Sequence, residues 1–163
     1  FVEAKTMTLK GDIKTYSKKD MHFSYRHSTF STDEILIEAT FKCKKGNPDK
    51  ILKDRKNASQ GRKLSQPLKF RSAGSIFKNP SNNLAAGYLI DQAGLKGTKF
   101  GGALISDKHA NFIVNLGNAT AKDVFHLIKI AKQKVAEKFN INLELEVKLI
   151  GFPKIMTQDI GYA

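Results

Sequence analysis

Apolar and polar residues alternate over residues 2–9, which predicts a β-strand, with Gly11-Asp12 as a turn and residues 13–16 as its hairpin partner. Residues 35–41, Ile-Leu-Ile-Glu-Ala-Thr-Phe, are rich in branched side chains and predict another strand. Gly46-Asn47-Pro48 breaks that pattern, and from Asp49 a basic, polar run predicts an exposed helix ending near Gly61. A domain boundary is expected here, dividing residues 1–45 from residues 46–163. Pro67, Gly74 and Pro80 make residues 66–83 poor in helix, and helix resumes over 84–90, with Gly94 placed to end it in a left-handed conformation. Short strands are predicted at 103–105 and 111–115. The clearest helix starts at Thr120, where Asp123 completes a capping box, and Val124, Leu127, Ile128, Ala131 and Val135 trace one apolar stripe. Residues 141–150 alternate again and predict a closing strand, with Leu143, Leu145, Val147 and Leu149 on one face and Glu144, Glu146 and Lys148 on the other. Helices interleaved with short strands predict an α+β fold.

Composition narrows the class. The chain has 163 residues, of which 40% are hydrophobic, enough for a packed core and too many for a disordered tail. No apolar run approaches the ~20 residues of a membrane helix, so no membrane partner is expected. Cys43 is the one cysteine, which excludes an internal disulfide and predicts a small buried hydrophobe in a reducing compartment. The sequence opens on Phe1 without the layout of a signal peptide and reads as a piece of a longer intracellular chain, hence cytoplasmic. Lys and Arg number 28 against 15 Asp and Glu, a net charge of +13 that calls for an anionic partner without specifying it. A basic module holding nucleic acid or another polyanion fits that charge, although no RNA-reading aromatic motif is present.

Candidate chemistry is sparse when read residue by residue. The glycines of 94–102 form neither a dinucleotide fingerprint nor a phosphate loop. The histidines have no metal-binding spacing, so no metal is expected; His126 reads as structural, and His109, in a polar loop, is open to a ligand contact. Ser75 reads either as a turn serine or as a chemical group, but Phe77 occupies the second glycine position of a nucleophile elbow and argues against hydrolysis. Glu144 and Glu146 are equivalent by periodicity. Arg26 is a candidate fork for a carboxylate.

The order of blocks is more specific than any one of them. Phe23-Ser24-Tyr25-Arg26-His27-Ser28, Gln66-Pro67, Ser72-Ala73-Gly74-Ser75-Ile76-Phe77-Lys78-Asn79-Pro80, Ala86-Gly87-Tyr88-Leu89-Ile90-Asp91, Gly94-Leu95-Lys96-Gly97, Gly101-Gly102-Ala103, His109-Ala110-Asn111-Phe112 and Leu143-Glu144-Leu145-Glu146-Val147 follow one another. In that order they resemble the UDP-N-acetylenolpyruvoylglucosamine reductase family, the flavin- and NADPH-dependent UDP-N-acetylmuramate dehydrogenases. The resemblance covers the later part of that family: the last strands of the flavin-binding region, then the C-terminal substrate-binding domain. It implies FAD and NADPH as cofactors, UDP-N-acetylglucosamine enolpyruvate as substrate, a flavin-binding half N-terminal to this chain as partner, and no nucleic acid. It also implies that this chain is inactive alone. By the same resemblance Ser75 delivers a proton, and Arg26 and Glu146 stabilise the enolate-like intermediate, with Glu146 carrying or sharing a proton as it acts. Lys63, Lys96 and Asn79 match positions that serve the substrate diphosphate. Tyr25 is implied in substrate binding, and His109 falls where some members carry glutamine. The short connection from Arg26 to Phe41 resembles the more compact of the family's two forms, and the tyrosine loop of the longer form has no counterpart.

Overall fold

A computed structural model describes residues 1–158, 160 and 161. The chain divides into two compact units, Phe1–Lys53 and Asp54–Ala163.

The first unit is built on β1 (Glu3–Thr8), β2 (Ile13–Ser17) and β5 (Glu34–Thr40), an antiparallel sheet in the order β2-β1-β5. A smaller hairpin, β3 (Phe23–Ser24) with β4 (His27–Ser28), lies between β2 and β5 in sequence. Gly11 closes the β1–β2 turn at a φ of 92°, which a side chain rarely tolerates. One carboxylate ties all three strands of the larger sheet. Glu34 Oε2 accepts from the Thr6 hydroxyl at 2.7 Å and from the Tyr16 hydroxyl at 3.0 Å, while Oε1 accepts from Lys14 Nζ at 2.6 Å. The apolar complement of this unit is less enclosed: Ile13, Ile35, Leu36 and Ile37 are all half exposed or more. Cys43, expected in a core, is exposed. It stands among Lys42, Lys44 and Lys45 beyond the end of β5, where no apolar neighbours in sequence exist to cover it.

Helix α1 (Pro48–Ser65) crosses the division between the units. It runs past Gly61, because one glycine costs a helix only about 1 kcal/mol and Arg62, Lys63 and Leu64 carry the turn on. The second unit packs α2 (Ala86–Gln92) and α3 (Ala121–Phe139) on the sheet of β6 (Arg71–Ser75), β7 (Lys99–Phe100), β8 (Ala103–Ile105) and β9 (Phe112–Asn115). Its strand order is β6-β9-β8-β7, and every neighbouring pair is antiparallel. A short helix, α4 (Lys154–Gln158), follows. The predicted stripe of α3 is its core face: Leu127, Ile128, Ala131 and Val135 are buried against Ile76, Leu89, Ile90 and Leu143. The capping box is present, and Asp123 also accepts from the Gly102 N–H, so the helix start and the β7–β8 turn are held by one side chain. A Cβ on Gly102 would lie 2.5 Å from the Ala119 nitrogen, which explains why glycine is needed there.

The mixed α+β class is as expected, but residues 141–150 are not a strand. They make a single bridge, Leu145 opposite Phe77, because the edge they meet is only three residues long. The alternation was an inward and outward pattern without a ladder: Leu143 is fully buried, and Leu145, Val147 and Leu149 pack against the core. Lys132 Nζ donates to the Leu143 carbonyl from α3 and so takes the place of a strand neighbour.

Its hydrogen bonds, first from Lys14 and then from Thr6, hold the Glu34 carboxyl below the usual carboxylate range. A depressed acid stabilises the folded state above its unfolded pKa, and the benefit disappears as pH falls through the folded value. Glu34→Gln is therefore expected to lower stability to urea at pH 7, and its difference from the unaltered chain to close as pH falls below about 4.3. An undiminished difference at pH 2 would remove the clasp from this account.

Candidate active site

The second unit brings Ser75, Asn79 and Glu146 together along residues 75–79. β6 ends at Ser75, which pairs with Phe112 of β9. Beyond it the backbone is held from two sides. On one side the Ile76 N–H donates to the Asn111 carbonyl at 2.9 Å. On the other, the Glu146 N–H donates to the Ile76 carbonyl at 2.8 Å, and the Lys78 N–H donates to the Glu144 carbonyl at 2.9 Å. Ser75 and Glu146, far apart in sequence, are thus brought to adjacent backbone positions, and both side chains are half buried. The two glutamates that periodicity left equivalent are now distinct. Glu144 is exposed and pairs with Lys78 at 3.2 Å, whereas Glu146 lies at the inner register position beside Ile76.

Asn79 follows directly, and its Oδ1 accepts the Ala86 N–H at 3.1 Å, which serves the start of α2 where Ala85 offers no side-chain cap. Lys96, just after α2, is exposed, and its ammonium is paired with Asp91 at 2.6 Å. His109 packs its ring against Phe112 and over Gly87, where a Cβ would stand 3.0 Å from its Cε1. Its Nδ1 accepts from the Asn111 N–H at 3.2 Å, so the neutral ring carries its proton on Nε2 and presents a donor there. Burial, assisted by the charge of Lys96, holds this imidazole below its ordinary pKa. Lys63 sits in the last turn of α1, and its carbonyl accepts from Lys108 Nζ at 2.6 Å, which links that turn to the loop carrying His109. His126 stacks on Phe100 with ring centroids 3.7 Å apart, a structural role as expected.

Arg26 and Tyr25 belong to the first unit, at the tip of the β3–β4 hairpin. The guanidinium carbon lies 5.4 Å from the Tyr25 ring centroid. Arg26 has a φ of 55°, in the left-handed region that costs a residue with a side chain about 1–3 kcal/mol. A two-residue turn with positive φ at its second residue favours glycine or asparagine there, so the arginine is held against local preference.

The C-terminal-domain model of UDP-N-acetylenolpyruvoylglucosamine reductase matches residues 66–150, more than half of the chain. The chain belongs to the UDP-N-acetylenolpyruvoylglucosamine reductase family. The reductases of Streptococcus pyogenes serotype M5 (strain Manfredo) and serotype M12 (strain MGAS9429) are each 44% identical to it over 152 residues, 93% of this chain and 51% of theirs. The crystal structure of the reductase from Thermus caldophilus superposes with a TM-score of 0.75 at 38% identity, covering 90% of this chain and 51% of that one. The chain therefore spans about half the length of the curated relatives it matches.

Two residues next to the candidate groups carry no periodic signal that would single them out. Asp91, which positions Lys96, is an ordinary helix residue by pattern. Asn111 has a clearer trace: it is a polar residue opening the apolar run Phe112-Ile113-Val114, and it is 4% exposed.

By NMR titration, His109 is expected to have a midpoint below 6.5, its ordinary value, and to move upward in Lys96→Ala as a nearby positive charge is lost. A midpoint at or above 6.5 in the unaltered chain would contradict a half-buried, neutral donor at His109.

Proposed function

We propose that the chain forms the substrate-binding part, with the last strands of the flavin-binding region, of a cytoplasmic flavin- and NADPH-dependent reductase that makes UDP-N-acetylmuramate from UDP-N-acetylglucosamine enolpyruvate for peptidoglycan precursors. The observation that carries this reading, beside family membership, is the backbone tie of Glu146 to Ile76, the residue after Ser75.

In this reading most of the flavin contacts belong to the half N-terminal to this chain. The sequence lacks the dinucleotide fingerprint, and a cavity of about 500 Å3 in the first unit is lined by both signs of charge, Asp12, Asp33 and Glu34 beside Lys10 and Lys14, which does not single out a diphosphate. The half-exposed isoleucines of the β2-β1-β5 sheet support a partner surface, which we assign to the flavin-binding half. The hydride is thus supplied from outside this chain, and its own residues bind substrate and move a proton.

Hydride arriving at the β-carbon of the enolpyruvyl group leaves an enolate at the α-carbon, with charge spread into the carboxylate. The Ser75 hydroxyl protonates that carbon. A hydroxyl is a weak acid, but the enolate is strongly basic, and cationic surroundings stabilise the alkoxide until solvent reprotonates it. Arg26 pairs with the substrate carboxylate through two parallel hydrogen bonds, a geometry its planar fork matches. Glu146 carries or shares a proton as it acts, since a full negative charge there would oppose the developing one. Lys96, Lys63 and Asn79 take the diphosphate, and His109 donates from Nε2. Asp91 keeps the Lys96 ammonium in position before substrate arrives; an exposed pair of this kind is worth only about 0–1 kcal/mol, so a doubly charged diphosphate displaces it readily.

In the chain completed by the flavin-binding half of a family member, Ser75→Ala is expected to let NADPH bleach the flavin as before while product formation falls by about 100-fold or more. Unchanged product formation would rule out the role of Ser75. Calorimetry with the UDP-linked enolpyruvyl sugar should show Lys96→Ala weakening affinity by about tenfold, the scale of a lost charge-assisted hydrogen bond. Equal binding of RNA and of the sugar nucleotide, both falling steeply with salt, would instead favour a polyanion-binding module.

A further inference from the structure

β9 stops pairing one residue too early for the segment it supports. Its ladder with β6 runs through Ser75 opposite Phe112, and the Asn111 carbonyl takes the Ile76 N–H. The backbone then turns away: the Phe112 N–H donates to the His109 carbonyl, and Asn111 N–H is spent on His109 Nδ1. The next residue, Phe77, is 1% exposed and has lost a strand neighbour on that side. On its other side the bonds to Glu144 and Glu146 come from Ile76 and Lys78, so the N–H and C=O of Phe77 itself point the opposite way.

The Asn111 side chain fills that gap. Its Oδ1 accepts the Phe77 N–H at 2.9 Å, and its Nδ2 donates to the Phe77 carbonyl at 2.8 Å. A primary amide has the same donor and acceptor as a peptide unit, so the side chain acts as one more residue of β9. Aspartate offers no donor here, and an apolar side chain offers neither group.

We infer that Asn111 is a positioning residue for the proton-transfer step: its amide sets the path of Phe77, and thereby the register between Ser75 on one side of that residue and Glu146 on the other. This rests on the reading of Ser75 and Glu146 given above. The side chain has no substrate to touch in this role. It acts through the backbone, and a displacement of about 1 Å in the reacting groups is enough to slow such a step by about 100-fold.

The test uses the chain completed by the flavin-binding half, with Asn111→Ala, Asn111→Asp and Ser75→Ala compared side by side. Asn111→Ala is expected to reduce product formation by about 100-fold, with the rate of flavin bleaching by NADPH and the affinity for the UDP-linked sugar each within about twofold of the unaltered protein. Asn111→Asp, which keeps the acceptor for the Phe77 N–H, is expected to retain about tenfold more activity than the alanine variant. A loss divided evenly among bleaching, affinity and turnover would show a general structural role and overturn the inference. So would full product formation in Asn111→Ala while Ser75→Ala is inactive, which leaves the reading of Ser75 standing. Full activity in Ser75→Ala overturns both. If neither Asn111 variant folds, hydrogen exchange in the unaltered chain decides: Phe77 and Glu146 amides as slow as that of Val114 support the two-sided clamp, and a fast Phe77 amide refutes it.

Discussion

A buried peptide unit must find its hydrogen bonds inside the protein, and the stretch from Ile76 to Lys78 meets that demand from two directions at once. Leaving one buried N–H or C=O unpaired costs about 1–3 kcal/mol, a large part of the 5–15 kcal/mol that holds a domain together. The segment therefore has little freedom to shift. Ile76 and Phe77 are each 1% exposed, and the partners of the stretch are the backbone and side chain of Asn111 on one side and the backbone of Glu144 and Glu146 on the other. Ser75, Asn79 and Glu146 are fixed as a consequence, each attached to backbone that core packing and pairing have already placed. Chemistry that depends on short distances is well served by such a frame.

The cationic groups follow a different rule. Lys96 and Lys63 lie on exposed positions, and Lys96 pairs with Asp91, whose side chain is itself open to solvent. A diphosphate is a diffuse charge that tolerates small changes in where an ammonium stands, and a long flexible stem can follow it. On the proposed function, rigid placement at the serine and loose placement at the lysines answer two demands, bond making and anion holding. The imidazole of His109 falls between them. Its ring is packed over Gly87 and against Phe112, yet its Nε2 remains a donor.

What the sequence reveals depends on whether a feature is periodic. The α3 stripe and its capping box repeat at helical spacing, so both are visible before any coordinates. The alternation of residues 141–150 is equally visible and misleads, because inward and outward positions alternate in any extended segment lying on a core, whether or not a ladder forms. β6 escapes notice because Arg-Ser-Ala-Gly-Ser has few branched residues and carries an irregularity between Ser72 and Ser75. The Asn111 amide escapes for another reason: its meaning lies in a partner, Phe77, 34 residues away. Family register, rather than pattern, singled out Ser75, Arg26 and Glu146 in the sequence. Pattern had no means to separate Glu146 from Glu144, which differ in the structure by their place relative to Ile76.

The first unit shows how one irregular residue redistributes charge. In a regular strand Glu34, Leu36 and Glu38 would share a face. The β1–β5 register instead shifts between Lys5 and Thr6: Lys5 is opposite Glu38 but Thr6 is opposite Leu36, so Ile37 is the extra residue of a bulge. The two ends of β5 consequently exchange faces. Glu38 pairs with Lys5 at 3.3 Å on one face, while Glu34 reaches Thr6, Lys14 and Tyr16 on the other. Without the bulge both carboxylates would fall on one side of the sheet, and either Lys5 or the Thr6-Lys14 pair would lose its acid. With Ala4, Thr6 and Met21 as its principal buried side chains, this unit has little core to impose register on its own. The clasp at Glu34 supplies part of that constraint, because its three donors converge on one carboxylate only in the observed alignment.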